Sequence, residues 1–269
     1  MSGAATLPGA LALLRDDPGR TAILLDVDGT LAPIVRHAAD ATVPEATRGL
    51  LIQAARRFAV VACITGRRAG EARRIVSIGS LAYVGNHGGE LLLPGAERPE
   101  RDPAAADWER RVQDFARAVA TPELERLRVR VEDKETIVAF HWRGAPDEPG
   151  AQAAAEALAA RAQAEGLGVH WGRKVLEVRP PVRLHKGMGV HALLERADVD
   201  HALYAGDDAT DLDAFRALTE LAAAGRLRTA VRVGIRSDEG PPEIVTEADV
   251  VVDGPEGMRR LLGALVDTG

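Results

Sequence analysis

The sequence predicts an α/β protein whose mostly parallel sheet carries helices on both faces, with a smaller α+β unit inserted between its two halves. Apolar runs that end in polar loops alternate with helical patterns at both ends of the chain, whereas the middle shows short alternating strands. Continuous apolar runs are typical of parallel strands buried on both faces, and alternation is typical of half-exposed hairpins. The predicted core is therefore a doubly wound, Rossmann-like α/β sheet with an inserted α+β cap.

The core elements follow from these runs in chain order. The predicted core strands are residues 22–26, 59–64, 82–84, 202–205, 229–233 and 250–252. The predicted core helices are residues 44–58, 68–76, 187–196 and 211–223, and Gly225 is a stop signal after the last of them. Because helices and strands alternate, we expect crossover connections and parallel neighbours.

A segment rich in proline and charge, residues 94–103, marks the start of the inserted unit. The elements predicted beyond it are a helix at 103–120, strands at 128–131 and 136–142, a helix at 151–165, and strands at 169–171 and 175–178. Hairpin turns are expected at Asp133-Lys134 and at Gly172-Arg173. We therefore assign residues 1–97 and 181–269 to the core and residues 98–180 to the cap.

Composition excludes several classes of partner. The chain has 269 residues, 46% of them hydrophobic, and a net charge of −6, which argues against nucleic acid and against anionic membranes. It has no apolar stretch of about 18 residues, so we predict no membrane span, and its start has no signal-peptide pattern. The single cysteine, Cys63, lies in an apolar strand. We expect a cytoplasmic monomer and no disulfide, and the histidines show no spacing for a zinc site.

Two acids follow the first core strand. Asp26-Val27-Asp28-Gly29-Thr30 comes directly after the apolar residues 21–25. Ligands of open α/β sheets bind beyond the carboxyl ends of the strands. An ionised Asp26 could attack phosphorus, and Asp28 could pass a proton to the leaving oxygen. An ordinary Asp-Gly turn would explain Asp28 but not Asp26.

Further polar groups follow other core strands. Thr65-Gly66-Arg67 ends the second strand and offers a hydroxyl and backbone amides to phosphate oxygens. Lys186 precedes a helical segment, where its ammonium could neutralise phosphate. The acids Asp207, Asp208, Asp211 and Asp213 follow the strand at 202–205. An oxygen-rich cluster of this kind suits Mg²⁺, although the helix dipole alone could explain Asp213.

In this order the motifs resemble the haloacid-dehalogenase superfamily of phosphotransferases. Its pattern of D-x-D-G-T, T-G-R, K-G and G-D-D-x-T-D-x-D extends over nearly the whole chain. Longer strings at residues 84–90, 174–180 and 206–215 resemble the trehalose-6-phosphate phosphatase family. Leu212 departs from the pattern, because many members carry Glu there. It lies beside the metal acids and not among them, so the departure concerns tuning of the site and not its chemistry.

The resemblance implies hydrolysis of trehalose 6-phosphate to trehalose and phosphate, the last step of trehalose biosynthesis. Asp26 would form an aspartyl-phosphate, and Asp28 would act as acid and then as base. Mg²⁺ would be held by Asp26, the Asp28 carbonyl and Asp207, with Asp208 or Asp211 assisting. The phosphate-binding residues would be Thr65, Gly66, Arg67 and Lys186.

The resemblance assigns sugar recognition to the cap, through Glu132 and Lys134 in V-E-D-K and Glu177 in L-E-V-R-P. It also places Asn86 and His87 at the site, in the string G-N-H-G-G-E. The alternatives are a solvated hairpin turn for Glu132 and Lys134, outward alternation for Glu177, and a structural role for His87.

Three other functions fit parts of the pattern. The same chemistry could act on another sugar phosphate, such as sucrose phosphate or mannosyl-phosphoglycerate. A phospho-acceptor signalling domain also uses acids, Mg²⁺ and a lysine, but it needs neither a cap nor a second acid at position 28. A catalytically inactive sugar-phosphate sensor would not need the complete set of site residues.

Overall fold

The structure is a computed structural model that describes residues 7–35, 40–101, 103–133, 137–172, 174–181, 184–237 and 240–267. The helices in chain order are α1 (Leu7–Asp16), α2 (Glu45–Arg57), α3 (Ala69–Val76), α4 (Pro103–Val119), α5 (Pro122–Arg126), α6 (Glu148–Ala164), α7 (Lys186–Glu195), α8 (Asp211–Ala223), α9 (Pro242–Thr246) and α10 (Gly254–Val266). The strands are β1 (Thr21–Leu25), β2 (Val60–Ile64), β3 (Ala82–Gly85), β4 (Glu90–Leu92), β5 (Glu100–Arg101), β6 (Arg130–Asp133), β7 (Val138–His141), β8 (Gly168–Gly172), β9 (Val175–Arg179), β10 (His201–Gly206), β11 (Thr229–Arg236) and β12 (Val250–Asp253).

The described residues form two compact units. One contains those up to Glu100 together with those from Leu184 onward, and the other contains those between Arg101 and Pro181. The first unit is built on a sheet of order β12-β11-β10-β1-β2-β3-β4-β5. Its strands from β12 to β3 run parallel, and β4 is antiparallel to β3. The predicted α/β fold with a mostly parallel sheet is confirmed.

Strand β1 lies at the centre of this sheet because every residue in it can be buried. Ile23 and Leu25 pack in one apolar cluster with α2 and α10, while Ala22 and Leu24 pack in another with α7 and α8. A strand covered on both faces needs apolar residues at every position, which explains its continuous run. All five residues of β1 are buried.

Register brings the strand ends together. Leu25 lies opposite Cys63 of β2 on one side and opposite Ala205 of β10 on the other. The Asp26 backbone N–H then donates to the Ala205 carbonyl at 2.9 Å, and the Thr65 N–H donates to the Val84 carbonyl at 2.9 Å. The loops after β1, β2, β3 and β10 therefore start at one edge of the sheet.

The second unit is a four-stranded antiparallel sheet of order β6-β7-β9-β8, with α4 and α6 on one face. The two predicted hairpins occur, and β7 pairs with β9 to join them into one sheet. Val138, Phe140, Leu176 and Val178 point into the apolar cluster beneath the helices. Residues two apart share a face, so Ala139 and Glu177 lie on the opposite face.

Several elements were not predicted. Strand β4 has only three residues, and α9 has only five, so neither carries a periodic signal. Helices α1 and α10 pack against each other and contribute Leu14, Met258 and Leu262 to the core. Within the described part of the chain, no helix has the length and apolar character that a membrane crossing requires.

Candidate active site

A cleft of about 370 Å³ opens at the carboxyl edge of the core sheet. Its lining residues are Asp26, Asp28, Thr65, Gly66, Arg67, Glu71, His87, Lys186, Asp208 and Thr210. Eight of these were predicted as site residues on the sequence alone, from four separate loops and a helix start. The structure therefore brings together groups that lie up to 184 residues apart in the sequence.

Among the described residues, Lys186 is the only lysine that lines this cleft, and it pairs with the first acid of the D-x-D motif. Its Nζ lies 2.7 Å from Asp26 Oδ1 and 2.7 Å from Asp211 Oδ1, and only 3% of its side chain is exposed. Burial alone would lower the pKa of Lys186, but the Asp26 and Asp211 carboxylates raise it above its ordinary value. Lys186 is therefore a fixed cation at the start of α7.

Asp26 is also buried, with 3% exposure. Burial raises its pKa well above the ordinary value, Lys186 opposes this, and the nearby Asp211 and Asp207 raise the pKa further. An acid in these surroundings needs more positive charge than one ammonium in order to stay ionised. The site therefore favours a bound cation.

Asp28 stands at the mouth of the cleft, with 36% of its side chain exposed. Arg67 holds both of its oxygens, through Nε to Oδ2 at 2.6 Å and Nη2 to Oδ1 at 2.8 Å. The third guanidinium nitrogen donates to Glu71 Oε1 at 2.5 Å. Glu71 was not predicted, although its position four residues after Arg67 at the start of α3 suits a helical ion pair.

The turn after Asp28 requires glycine. Gly29 has a φ of +81°, and a Cβ there would lie 2.0 Å from Asp207 Oδ2. The D-x-D-G loop and the acidic loop after β10 therefore pack directly on one another. Thr30 is fully buried, and its hydroxyl lies 3.4 Å from Asp207 Oδ1.

The loops after β2 and β3 are also in contact. The His87 N–H donates to the Thr65 carbonyl at 3.2 Å, and the Asn86 N–H donates to the Arg67 carbonyl at 2.7 Å. Asn86 and His87 both have left-handed backbones, with φ of 52° and 53°. Non-glycine residues rarely adopt this conformation, and such strain is often found at functional sites.

The His87 ring lies over Gly66, where a Cβ would be 2.7 Å from two ring atoms. Burial lowers the pKa of His87, and the charge of Lys186 lowers it further, although Asp208 and Asp213 oppose this. A neutral imidazole therefore lines the cleft at neutral pH. The structure places His87 at the cleft, and its contact with a substrate remains a prediction.

The acidic loop divides into two kinds of carboxylate. Asp211 is fully buried and accepts four hydrogen bonds, from Lys186, from the Tyr204 hydroxyl, and from the Asp207 and Asp208 backbone N–H groups. A carboxylate offers about four lone-pair positions, so Asp211 is saturated by protein donors. Tyr204 was not predicted, because nothing in the strand sequence 201–206 shows that its hydroxyl meets Asp211.

Asp207 and Asp208 accept fewer hydrogen bonds than Asp211 does. Burial, together with Asp211 and Asp208, raises the pKa of Asp207 to about 7. Asp208 is 54% exposed, and its Oδ1 accepts hydrogen bonds from the Thr210 N–H and hydroxyl. Asp213 pairs instead with Arg216, at 2.5 Å.

The donor set fits a hard divalent cation. Asp26, Asp207 and Asp211 each offer an oxygen, and these three atoms lie within 4.8 Å of one another. Mg²⁺ prefers carboxylate and carbonyl oxygens and often keeps several waters. Because the Asp211 oxygens are already occupied, Asp26 and Asp207 are better suited to direct ligation than Asp211 is.

The predicted cap residues belong to the second unit. Glu132, Ala139, Glu177 and His170 lie directly opposite one another across its four strands and so share the face away from the helices. Glu132 Oε2 lies 2.8 Å from His141 Nε2 on that face. Lys134 lies outside the described residues. The structure therefore places Glu132 and Glu177 in one polar row, with a small alanine between them.

Comparisons with known proteins agree on one family. Residues 24–255 match the family model described as trehalose-phosphatase. A trehalose-phosphate phosphatase of Mycobacterium marinum is 34% identical over 222 residues, which cover 79% of this chain and 56% of that protein. The trehalose 6-phosphate phosphatase RA3 of Zea mays is 29% identical over 97% of this chain and 75% of its own length.

Solved structures show the same fold. A trehalose-6-phosphate phosphatase of Aspergillus fumigatus matches with a TM-score of 0.66 and 22% identity, over 97% of each chain. A haloacid dehalogenase-like hydrolase from Bacteroides thetaiotaomicron matches with a TM-score of 0.55 and 16% identity, over 91% of this chain and 98% of that one. The chain spans about half the length of the Mycobacterium marinum relative. Because the family model matches most of its length, the chain belongs to the trehalose-phosphatase family.

Proposed function

We propose that this protein hydrolyses trehalose 6-phosphate to trehalose and phosphate in two steps, through a phosphorylated aspartate. The observation that carries the proposal is the cleft in which Asp26, paired with the buried Lys186 at 2.7 Å, stands beside Asp28 and Thr65. Membership of the trehalose-phosphatase family supports the choice of substrate.

In the first step, an Asp26 carboxylate oxygen bonds to phosphorus while the bond between phosphorus and the sugar oxygen breaks. Asp28 gives its proton to that oxygen, and trehalose leaves. Lys186 and the Thr65 hydroxyl, with the amide of Gly66, hold the phosphoryl oxygens and offset their charge.

In the second step, a water oxygen bonds to phosphorus and the bond between phosphorus and Asp26 breaks. Asp28, now a carboxylate, accepts the proton of the water. Asp211 acts through Lys186, which it holds beside Asp26 by a hydrogen bond of 2.7 Å.

We propose Mg²⁺ as the cofactor, held by Asp26, the Asp28 carbonyl and Asp207, with Asp208 assisting. When bound, this cation would neutralise charge on the phosphoryl group and on the two acids. The raised pKa values of Asp26 and Asp207 support this assignment, because both groups are buried among like charges.

We assign sugar recognition to Glu132, Lys134 and Glu177 of the cap and to Asn86 and His87 of the core. The polar row that contains Glu132 and Glu177 supports the cap assignment, since carboxylates are good acceptors for sugar hydroxyls. A cytoplasmic monomer that completes trehalose biosynthesis is consistent with this activity.

The test is phosphate release from a panel of sugar phosphates, with Mg²⁺ and with excess EDTA. We expect trehalose 6-phosphate to have the highest kcat/KM and EDTA to stop the reaction. Faster hydrolysis of sucrose phosphate or mannosyl-phosphoglycerate would replace the proposed substrate, and full activity in EDTA would exclude the cation.

A further inference from the structure

Arg67 is bound to the acid/base residue in a way that phosphate binding does not explain. Two of its nitrogens donate to the two oxygens of Asp28, and the third donates to Glu71. The Arg67 side chain is only 12% exposed, whereas Asp28 and Glu71 are each 36% exposed. All three guanidinium nitrogens thus donate to carboxylates, and two of the three donate to Asp28.

We propose that Arg67 is a positioning residue for Asp28, that Glu71 anchors Arg67, and that the pair acts mainly in the water-activating half of the reaction. This inference rests on the proposed function, because it needs Asp28 to act on a phosphorylated Asp26. It differs from the phosphate-binding role that the T-G-R motif predicts for Arg67.

The two hydrogen bonds from Arg67 to Asp28 indicate which half of the proposed reaction Arg67 supports. Two charge-assisted bonds from Arg67, one to each oxygen, favour the carboxylate form of Asp28, which is the form that accepts a proton. Each oxygen retains a second lone pair, which can accept the proton of the attacking water. A bidentate pair also fixes the plane of the carboxylate, which a single ammonium cannot do.

The surrounding backbone fixes Arg67 in turn. Its N–H donates to Thr65 Oγ1 at 3.2 Å, and its carbonyl accepts from the Asn86 N–H at 2.7 Å. Glu71 lies in the first turn of α3 and so presents its carboxylate from a helix rather than from a loop. Asp28 therefore lies beside an arginine whose backbone and side chain are both held by hydrogen bonds.

The two roles for Arg67 predict different kinetic defects. If Arg67 positions the base, its loss slows hydrolysis of the aspartyl-phosphate, and the phosphorylated enzyme accumulates during turnover. If Arg67 holds phosphate, its loss weakens binding of substrate and of inorganic phosphate, and no phosphorylated enzyme accumulates. The first outcome is a change in kcat, and the second is mainly a change in KM.

The experiment compares Arg67→Lys, Arg67→Met and Glu71→Gln with the wild type, using para-nitrophenyl phosphate with Mg²⁺. This substrate has a good leaving group, so its first step needs little help from an acid. Rapid mixing measures the burst of para-nitrophenol, and intact mass after acid quenching measures the phosphorylated fraction. Arg74→Met, at an exposed position of α3, the helix that carries Glu71, is the matched control.

We expect kcat of both Arg67 variants to fall roughly tenfold to a hundredfold, the loss of one or two charge-assisted hydrogen bonds. A burst and a phosphorylated fraction well above wild type should accompany that fall. Glu71→Gln should show a smaller effect of the same kind, and Arg74→Met should match wild type. Asp28→Asn gives the reference for full accumulation.

Weaker inhibition by inorganic phosphate without accumulation would overturn the proposal in favour of phosphate binding, and unchanged kcat in the folded Arg67→Lys and Glu71→Gln variants would also overturn it. If the proposed function itself is wrong, the result is different, because the wild-type enzyme would then release no phosphate or would never become phosphorylated. If Arg67→Met does not fold, the other two variants decide the question.

Discussion

Lys186 connects Asp26, the proposed nucleophile, to the acidic loop through two hydrogen bonds of 2.7 Å, one to Asp26 and one to Asp211. Both carboxylates are almost fully buried and lie beside a third acid, Asp207. Removing the ammonium would leave several negative charges in a site with little water. We therefore expect the lysine to have a structural role as well as the role toward phosphate that we propose for it.

Lys186→Met tests both roles, because methionine has nearly the same shape without the charge. We expect turnover to be lost. We also expect the free energy of unfolding to fall by about 3 kcal/mol, the usual cost of removing one partner from a buried ion pair. Urea denaturation with and without Mg²⁺ measures the second effect, and unchanged stability would show that the pair is not important for folding.

Three of the residues that the sequence predicts share one property. Asp26, Thr65 and Asp207 directly follow apolar strands, so their position at the sheet edge follows from the fold class alone. Tyr204 and Glu71 could not be found in this way. Their importance depends on which side chains their polar atoms meet in three dimensions, and a strand tyrosine or a helical glutamate is ordinary in sequence.

At the scale of secondary-structure elements, the register of the cap sheet decides which residues share a surface. Glu132 and Glu177 fall in the same row because β6 pairs with β7 and β7 pairs with β9. The sequence predicts the two hairpins, but it does not predict that they join, since pairing of β7 with β9 leaves no local signal.

Glu177→Ala should lower kcat/KM for trehalose 6-phosphate roughly tenfold to a thousandfold, the loss of one or two charge-assisted hydrogen bonds to the sugar. Hydrolysis of para-nitrophenyl phosphate should change little, because this ester has no sugar hydroxyls. Glu156→Ala, an exposed glutamate on α6 in the same unit, is the control. Equal losses on both substrates would mean that Glu177 supports the fold rather than selecting the sugar.

The edge of the core sheet depends on an ion pair between β11 and the residue before β12. Asp249 accepts hydrogen bonds from the Arg232 N–H at 2.8 Å, Nε at 2.9 Å and Nη2 at 2.7 Å. Burial alone would raise the pKa of Asp249, but the bonds from Arg232 outweigh it and lower the pKa below 3.8. Because the pKa of Asp249 is lower in the folded state than in the unfolded state, its ionised form stabilises the fold at pH values above the unfolded-state pKa. This contribution is lost as the pH falls through the folded-state pKa.

Asp249→Asn should therefore reduce the free energy of unfolding by about 1 kcal/mol at pH 7, where the native carboxylate is charged. The difference from wild type should shrink as the pH falls below about 4. Denaturation curves recorded between pH 7 and about pH 3 measure this difference in stability. A difference that grows toward low pH would have the wrong sign for this ion pair.

At the scale of the whole molecule, a cation should couple the site to global stability. Asp26 and Asp207 are like charges in a buried site, and metal binding to the folded state alone raises the unfolding midpoint. We expect saturating Mg²⁺ at pH 8 to raise that midpoint by roughly 3 to 6 °C. Asp207→Asn should raise the midpoint without metal and remove the response to Mg²⁺, so a response equal to wild type would exclude Asp207 as a ligand.

If Asp26 is the nucleophile for trehalose 6-phosphate, as we propose, the kcat/KM of Asp26→Asn must show it. The amide has the same size but cannot form the acyl-phosphate. Asp16→Asn, an exposed aspartate of α1, is the control for an aspartate change as such. We predict that Asp26→Asn stays folded by circular dichroism and loses at least about a thousandfold in kcat/KM, while Asp16→Asn matches wild type. A folded Asp26→Asn enzyme that retained more than about a tenth of the wild-type rate would contradict the covalent mechanism.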